Sequence, residues 1–192
     1  MLRRSPGVVQ PLPLLIVRPG KTLVRQGAAG LGAWRVEYGI LRISLDTPDG
    51  RELVIDLVGP GDVIGDPPGS PATCTVTALR PARLRAGDHD ELTAALARLA
   101  GRTAALACDV AWLDVPTRIE RRLQDLAARF GRPAPGGVLI PITLRQDELA
   151  CLAATSRETA NRAIRRLIER GRIGRERRGR YVVRTPVRLV RP

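Results

Sequence analysis

Arg157, Glu158 and Arg162 sit close together in the segment SRETANRAIRRLIERG, residues 156–171, and their types and spacing suit the edges of base pairs. An arginine forks onto O6 and N7 of guanine, and a glutamate accepts from N4 of cytosine. An Arg-Glu pair in the first turn of a helix, with a second Arg one turn later, matches what a helix laid in a major groove presents. Asn161, Arg165 and Arg166 share that polar face. On the other side, Ala160, Ala163, Ile164, Leu167 and Ile168 follow the i, i+3, i+4, i+7, i+8 rule of an amphipathic helix. Ser156 stands as its N-cap and Gly171 as its stop. A charged face alone is also what a solvated helix looks like, so the elements around this one decide its meaning.

Immediately upstream, Leu149, Ala150, Leu152 and Ala153 form the inner face of a shorter helix, and only Ala154 and Thr155 separate it from Ser156. Two helices joined so tightly make a helix-turn-helix. Past Gly171, RIGRERRGRYVVRTP predicts a hairpin cornering at Arg178-Gly179, a wing whose Arg175, Arg177, Arg178 and Arg180 are expected to meet phosphates. Before the pair, VLIPITL supplies a short strand after the loop of residues 131–137. Further upstream, DVPTRIERRLQDLAARF predicts a helix with Asp114 as N-cap, Pro116 in its first turn, and Ile119, Leu123, Leu126, Ala127 and Phe130 inward.

From Asp88 the pattern is helical, and Leu92, Leu96, Leu99, Thr103, Leu106, Val110 and Leu113 alternate steps of four and three. Such a heptad seam fits either packing on the same chain or pairing with a second copy. The second copy is favoured, because helix-turn-helix dimers place two reading helices about 34 Å apart on one face of a duplex. Thr103 is a polar interruption that fixes register. Residues 14–87 are instead short apolar runs (LLIV, WRVEY, ILRISL, LVIDLV, TCTVTAL) punctuated by Pro19-Gly20, Asp49-Gly50 and Gly59-Pro60-Gly61, the pattern of an antiparallel barrel or roll. Residues 1–13, with Pro6, Pro11 and Pro13, predict a flexible arm.

Composition agrees with a nucleic-acid partner. The 192 residues carry 32 basic against 19 acidic side chains, a net charge of +13 that points to a polyanion. Cys74, Cys108 and Cys151 are far apart and His89 is the single histidine, so neither a zinc finger nor an iron-sulfur cluster can be assembled, and no metal or cofactor is expected. The scarcity of histidine also argues against a metal-dependent enzyme built on the β-rich half. No apolar run approaches the ~20 residues of a membrane span and the N-terminal stretch lacks a signal-peptide cleavage site, so a cytoplasmic protein without membrane contact is expected.

SRETANRAI resembles the recognition helix of the cyclic-AMP receptor protein and fumarate-nitrate regulator (CRP/FNR) superfamily, commonly S-R-E-T-V-x-R-x-L, and QDELACLAATSRET resembles its preceding helix and turn. WLDVPTRI is similar to the family's hinge, F-L-D-V-x-x-R-I, and GKTLVRQG with YGILRISLDTPDGRELVIDLVGPGDVIGD to its cyclic-nucleotide-binding β-roll. The resemblance implies an α+β chain: a β-roll over residues 14–87, a dimerisation helix and hinge over 88–113, and a winged helix-turn-helix over 114–192. It implies a homodimeric transcription regulator, not an enzyme, that binds inverted-repeat double-stranded DNA and acts on RNA polymerase. Arg157, Glu158 and Arg162 would read a TGTGA-like half-site; Ser156 and Thr159, with Arg145, Arg165 and Arg178, would hold phosphates; Asp114 would mark the hinge. Ala154 stands where a turn glycine is usual, and Arg145 where a Ser or Thr usually caps the first helix, for which Thr143 with Gln146 offers a substitute capping box.

The effector pocket departs further. Asp66 stands where the family holds the ribose, but Ala72, not Arg, precedes Thr73, and PPGSPA between offers no cation. A cyclic phosphate there would lose charge-assisted hydrogen bonds of about 1.5–3 kcal/mol each. The family's Thr-Ser pair facing adenine is Thr103-Ala104 here. Asp66, Thr73 and Thr103 are therefore expected to line a vestigial pocket indifferent to cyclic AMP. Control by another small effector, or nucleic-acid binding without sequence preference, are the alternatives.

Overall fold

The computed structural model describes residues 13–184, the side chain of Arg178 excepted; apart from Pro13, the expected arm lies outside the described residues. The chain has the α+β architecture expected. Its N-terminal half is two antiparallel four-stranded sheets. One has the order β1 (Leu14–Val17), β8 (Ala82–Ala86), β3 (Trp34–Tyr38), β6 (Val63–Ile64), and the other β2 (Thr22–Val24), β7 (Thr75–Ala78), β4 (Leu41–Asp46), β5 (Glu52–Val58). Side chains alternate across a strand, so Leu41 and Ile43 of β4 meet Val36, Val76 and Leu84 in a core between the sheets.

β5 belongs to two cores at once. Ile43 pairs with Asp56 and Ser44 with Val54, leaving Ile55 as an extra residue, a bulge that breaks the two-residue alternation. Val58 consequently packs inside the roll, while Val54 and Leu57 join the core of the C-terminal half.

Helix α1 (His89–Trp112) starts at Asp88, whose carboxylate accepts from Glu91 N–H at 2.7 Å, and packs on β5 and β6. Helix α2 (Val115–Phe130) starts at Asp114, which accepts from Thr117 N–H at 3.0 Å. Then follow β9 (Arg132–Ala134), β10 (Gly137–Ile140), α3 (Gln146–Leu152), α4 (Arg157–Glu169), β11 (Ile173–Glu176), a 3-10 turn at Arg177–Gly179 and β12 (Arg180–Val183), with sheet order β11-β12-β10-β9. β9 lies in the segment expected as loop: Pro135-Gly136 closes a hairpin, and Pro133, which has no N–H to donate, is tolerated because β9 is an edge.

Two local expectations are corrected. The Thr143/Gln146 capping box does not form; α3 starts one residue after Arg145, whose backbone N–H donates to the Glu148 carboxylate at 2.6 Å. Ile168 is not on the inner face of α4 but 37% exposed, while Ala160, Ala163, Ile164 and Leu167 are buried.

Ala154, at the corner between α3 and α4, has φ +50°, the left-handed region that favours glycine. A side chain there costs about 1–2 kcal/mol, against about 0.4–1 kcal/mol of extra chain entropy that glycine loses on folding. Ala154→Gly is therefore expected to stabilise the fold by about 1 kcal/mol, read as a rise of about 2–4 °C in the melting midpoint.

Candidate nucleic-acid interface

α4 is held by its apolar face and leaves its charged face bare. Ala160, Ala163, Ile164 and Leu167 pack with Leu123, Leu149 and Tyr181 in the C-terminal core. Arg157, Glu158, Arg162, Arg165 and Arg166 are exposed. Ser156 caps the helix, accepting from Thr159 N–H at 3.2 Å, and Arg162 donates to the Thr159 hydroxyl at 3.4 Å. Among the described residues, the side chains of Arg157, Glu158, Arg165 and Arg166 make no hydrogen bond or ion pair, so folding leaves their donors and acceptors unspent. With the N–H groups of the α4 N-terminus beside them, they form a surface that attracts phosphate and can fork onto base edges.

The other expected phosphate contacts are spread wider. Arg145 is exposed, lies 3.6 Å from both the Asp147 and Glu148 carboxylates, and shares a groove with Arg42 and Arg80 of the roll. Arg178 is in the turn between β11 and β12, at the predicted hairpin corner; its side chain is outside the described residues, while Arg175 and Arg177 beside it are exposed.

Most of the leucine row of α1 is turned toward its own protomer, so the row does not offer all seven residues to a partner. Leu92 and Leu106, only 2% and 3% exposed, are buried within the protomer and have no surface to offer a partner. Leu96 lines the cavity under the helix, and Leu99 packs on the core of the roll. Thr103 bonds back along its own helix, its hydroxyl donating to Leu99 C=O at 2.9 Å. Leu113 is half-buried, and only Val110, 41% exposed, is open. The face left bare carries a second row with the same steps of four and three: Ala97, Gly101, Ala104, Cys108 and Ala111, followed by Trp112 at 85% exposure. Small residues give a weak hydropathy signal, so the leucines mask this row in the sequence.

The cavity between the roll and α1 contains Asp66 and Thr73 but not Thr103. Thr73 donates its backbone N–H at 3.0 Å and its hydroxyl at 3.1 Å to Oδ1 of the buried Asp66 carboxylate, so one oxygen of this acid is already engaged from inside the chain. Leu92, Leu96 and Leu99 fill the space to leave about 40 Å³, room for a few water molecules, whereas ligand pockets run from about 300 Å³. Cys74, also in the cavity wall, has its thiol pKa pushed up by burial, the state of an inert structural thiol. Among the described residues, no group of three or more His, Cys, Asp or Glu could hold a metal ion, and no helix is long and apolar enough to cross a membrane.

Sequence reasoning missed the charged junction in the cavity wall, where Asp56, Asp62 and Arg102 line the space with Arg98. Asp56 of β5, buried, accepts from Arg102 of α1 and from Arg129 of α2 at 2.7 Å; Arg129 also donates to Leu57 C=O at 2.8 Å and lies 3.3 Å from Asp62. Burial works against the ionised Asp56 carboxyl, and the two guanidiniums work for it. The junction ties roll, long helix and reading domain together. At Gly59, next to it, an added Cβ would lie 2.7 Å from the Phe130 ring, so the turn after β5 approaches α2 as closely as only glycine permits.

Residues 14–98 match the family described as the cyclic nucleotide-binding domain, and residues 117–191 the Crp-like helix-turn-helix domain. Over 170 residues the chain is 32% identical to the CRP-like cAMP-activated global transcriptional regulator of Mycobacterium tuberculosis, covering 79% of this chain and 75% of that one. Its fold is similar to that of a CRP-family transcriptional regulator from Thermus thermophilus, with TM-score 0.73, 25% identity and coverage of 88% of this chain and 91% of the other. FixK2 from Bradyrhizobium japonicum shares the fold with TM-score 0.75 at 18% identity, covering 91% and 93% of the two chains.

Proposed function

We propose, from the premise that this chain belongs to the CRP/FNR superfamily of transcription regulators and carries its DNA-binding helix-turn-helix, that it binds an inverted repeat as a homodimer without needing cyclic AMP. The observation that carries the reading is the bare charged face of α4. Arg157, Glu158 and Arg162 read the bases of a TGTGA-like half-site, while Ser156, Thr159, Arg165, Arg145 and the wing arginines, Arg178 among them, supply the salt-dependent phosphate contacts. The two copies meet along the exposed small-residue row of α1, Ala97 to Ala111 with Val110 and Trp112, rather than along the buried leucines. Alanine and glycine let two helices approach closely, and a two-fold axis there repeats α4 on one face of the duplex. RNA polymerase is the partner through which the bound dimer acts, and Asp114 marks the hinge between α1 and the reading domain.

The relative in Mycobacterium tuberculosis is cAMP-activated by name. Here the cavity offers about 40 Å³, an Asp66 already bonded by Thr73, and Ala72 before Thr73. Each of the three supports independence from that ligand.

Selection of duplexes from a random pool, with and without cyclic AMP, tests the reading. The same inverted repeat is expected to emerge from both pools, and cyclic AMP is expected to leave the melting midpoint unchanged. A pool with no repeat, or equal affinity for scrambled and palindromic duplex at physiological salt, means sequence-independent binding instead. Saturable stabilisation by cyclic AMP overturns the pocket argument.

A further inference from the structure

Arg118, in the first turn of α2, spends its guanidinium on four backbone carbonyls and no carboxylate. Two belong to the end of α1: Val110 C=O at 3.3 Å and Leu113 C=O at 3.2 Å. The other two belong to the corner ahead of the reading helix: Ala153 C=O at 3.0 Å and Ala154 C=O at 3.4 Å. Each pair lies at a helix C-terminus, where the last carbonyls have no partner within the helix and the dipole end is negative. The last turns of α1 and α3 contain no basic residue of their own, and this one side chain from a third helix brings a cation to both ends.

The chemistry of the group makes the bridge directional. A guanidinium is a planar fork that holds its donors at fixed angles, whereas a lysine ammonium is a point charge with freely rotating donors. With Nε and one terminal nitrogen on the corner and the other terminal nitrogen on α1, the plane of Arg118 sets the angle between the long helix and the helix-turn-helix corner. Arg122, one turn along α2, adds a second bond to the same corner through Leu152 C=O at 3.2 Å. Arg121, by contrast, joins α2 to α1 through an exposed pair with Asp109 at 2.5 Å and does not reach the corner.

We propose that Arg118 is a positioning residue that sets the spacing of half-sites this protein accepts. The proposal rests on the homodimer reading above. If α1 carries the two-fold axis, the separation of the two α4 helices follows from the angle at which α1 meets each corner, and Arg118 is a contact that bonds the end of α1 and the corner with one side chain. It touches no base, so it governs the distance between half-sites and not the sequence of either.

The test uses the full chain as wild type, Arg118→Ala, Arg118→Lys and Arg121→Ala. Each is bound to duplexes carrying one half-site in inverted repeat, with the centre-to-centre spacing stepped a base pair at a time, and to a duplex with a single half-site. The wild type and Arg121→Ala are expected to show the same sharp optimum. Arg118→Ala is expected to keep the single-half-site preference while its ratio of optimal to neighbouring spacing falls about fivefold, with Arg118→Lys between. The proposal is overturned if Arg118→Ala and Arg118→Lys keep the wild-type ratio, including the case where both bind more weakly by one factor at every spacing. Because Arg118→Lys retains a cation at the site, a poorly folding Arg118→Ala still leaves a variant that decides. A wild type with no spacing optimum removes the homodimer reading and this proposal with it, whereas a wild-type optimum that the variants share removes only the proposal.

Discussion

Asp56→Ala is expected to destabilise the folded chain by about 3–5 kcal/mol, read as a lower midpoint in urea unfolding at constant slope. The magnitude follows from what remains. Arg129, with a side chain only 12% exposed, loses the carboxylate at 2.7 Å and keeps Leu57 C=O and longer contacts with Asp62 and Asp125; Arg102 loses its carboxylate altogether. A buried cation without its partner bears the desolvation cost that the pair had offset. Replacing Asp56, Arg102 and Arg129 together by apolar residues of similar volume is expected to recover most of the loss, because the buried carboxylate leaves with both its cations, and Asp62 and Asp125, which lose Arg129, are more open to water. If the triple variant is as unstable as Asp56→Ala, the loss comes from packing at the junction and not from charge. The junction's value lies in specificity: its three charges come from β5, α1 and α2, so they are satisfied together only in one arrangement of roll, helix and reading domain.

Arg157→Ala and Arg162→Ala are each expected to remove about 1–3 kcal/mol of discrimination at one base position of a half-site, which a two-fold dimer applies at both half-sites. Competition between cognate and singly changed duplexes measures it. Arg165→Ala is the contrast: a lost phosphate contact weakens all duplexes about equally and makes the slope of log K against log salt shallower by about one unit. The distinction depends on the unspent side chains of α4. Arg157 and Arg165 are both exposed and unpaired among the described residues, so neither substitution disturbs a bond within the protein. Uniform weakening by Arg157→Ala and Arg162→Ala alike would assign those residues to the backbone of the duplex.

How far the chain is legible from its residue order depends on the range of the forces involved. The caps at Ser156 and Asp114, the inner faces of α2 to α4 and the hairpin after Gly171 depend on neighbours within a turn or two, and residue order encodes those neighbours directly. β9 reads as loop because a proline stands in a segment of three residues, a pattern that becomes a strand only when β10 is there to pair with it. The seam of α1 is the larger discrepancy. Its 4-3 periodicity is real, but periodicity states that a helix has an apolar face and says nothing about what covers it.

The sequence by itself determined that a short charged helix would follow a tight corner with its arginines on one face, and that no arginine would stand immediately before Thr73. Those facts are local: helical geometry spaces the side chains, and the chain neighbour of Thr73 is its neighbour in any fold. Only the tertiary structure decided that Leu92, Leu96 and Leu99 of α1 would be consumed by the chain's own roll, that a bulge at Ile55 would turn Val54 and Leu57 toward the reading domain, and that Asp56 would meet Arg102 and Arg129. Such pairings close loops of 46 and 73 residues, and Arg118 reaches across 35 and 36 residues to its corner carbonyls. They form because burial brings distant groups into a low-dielectric interior where each must find a partner, a condition set by packing rather than by residue order.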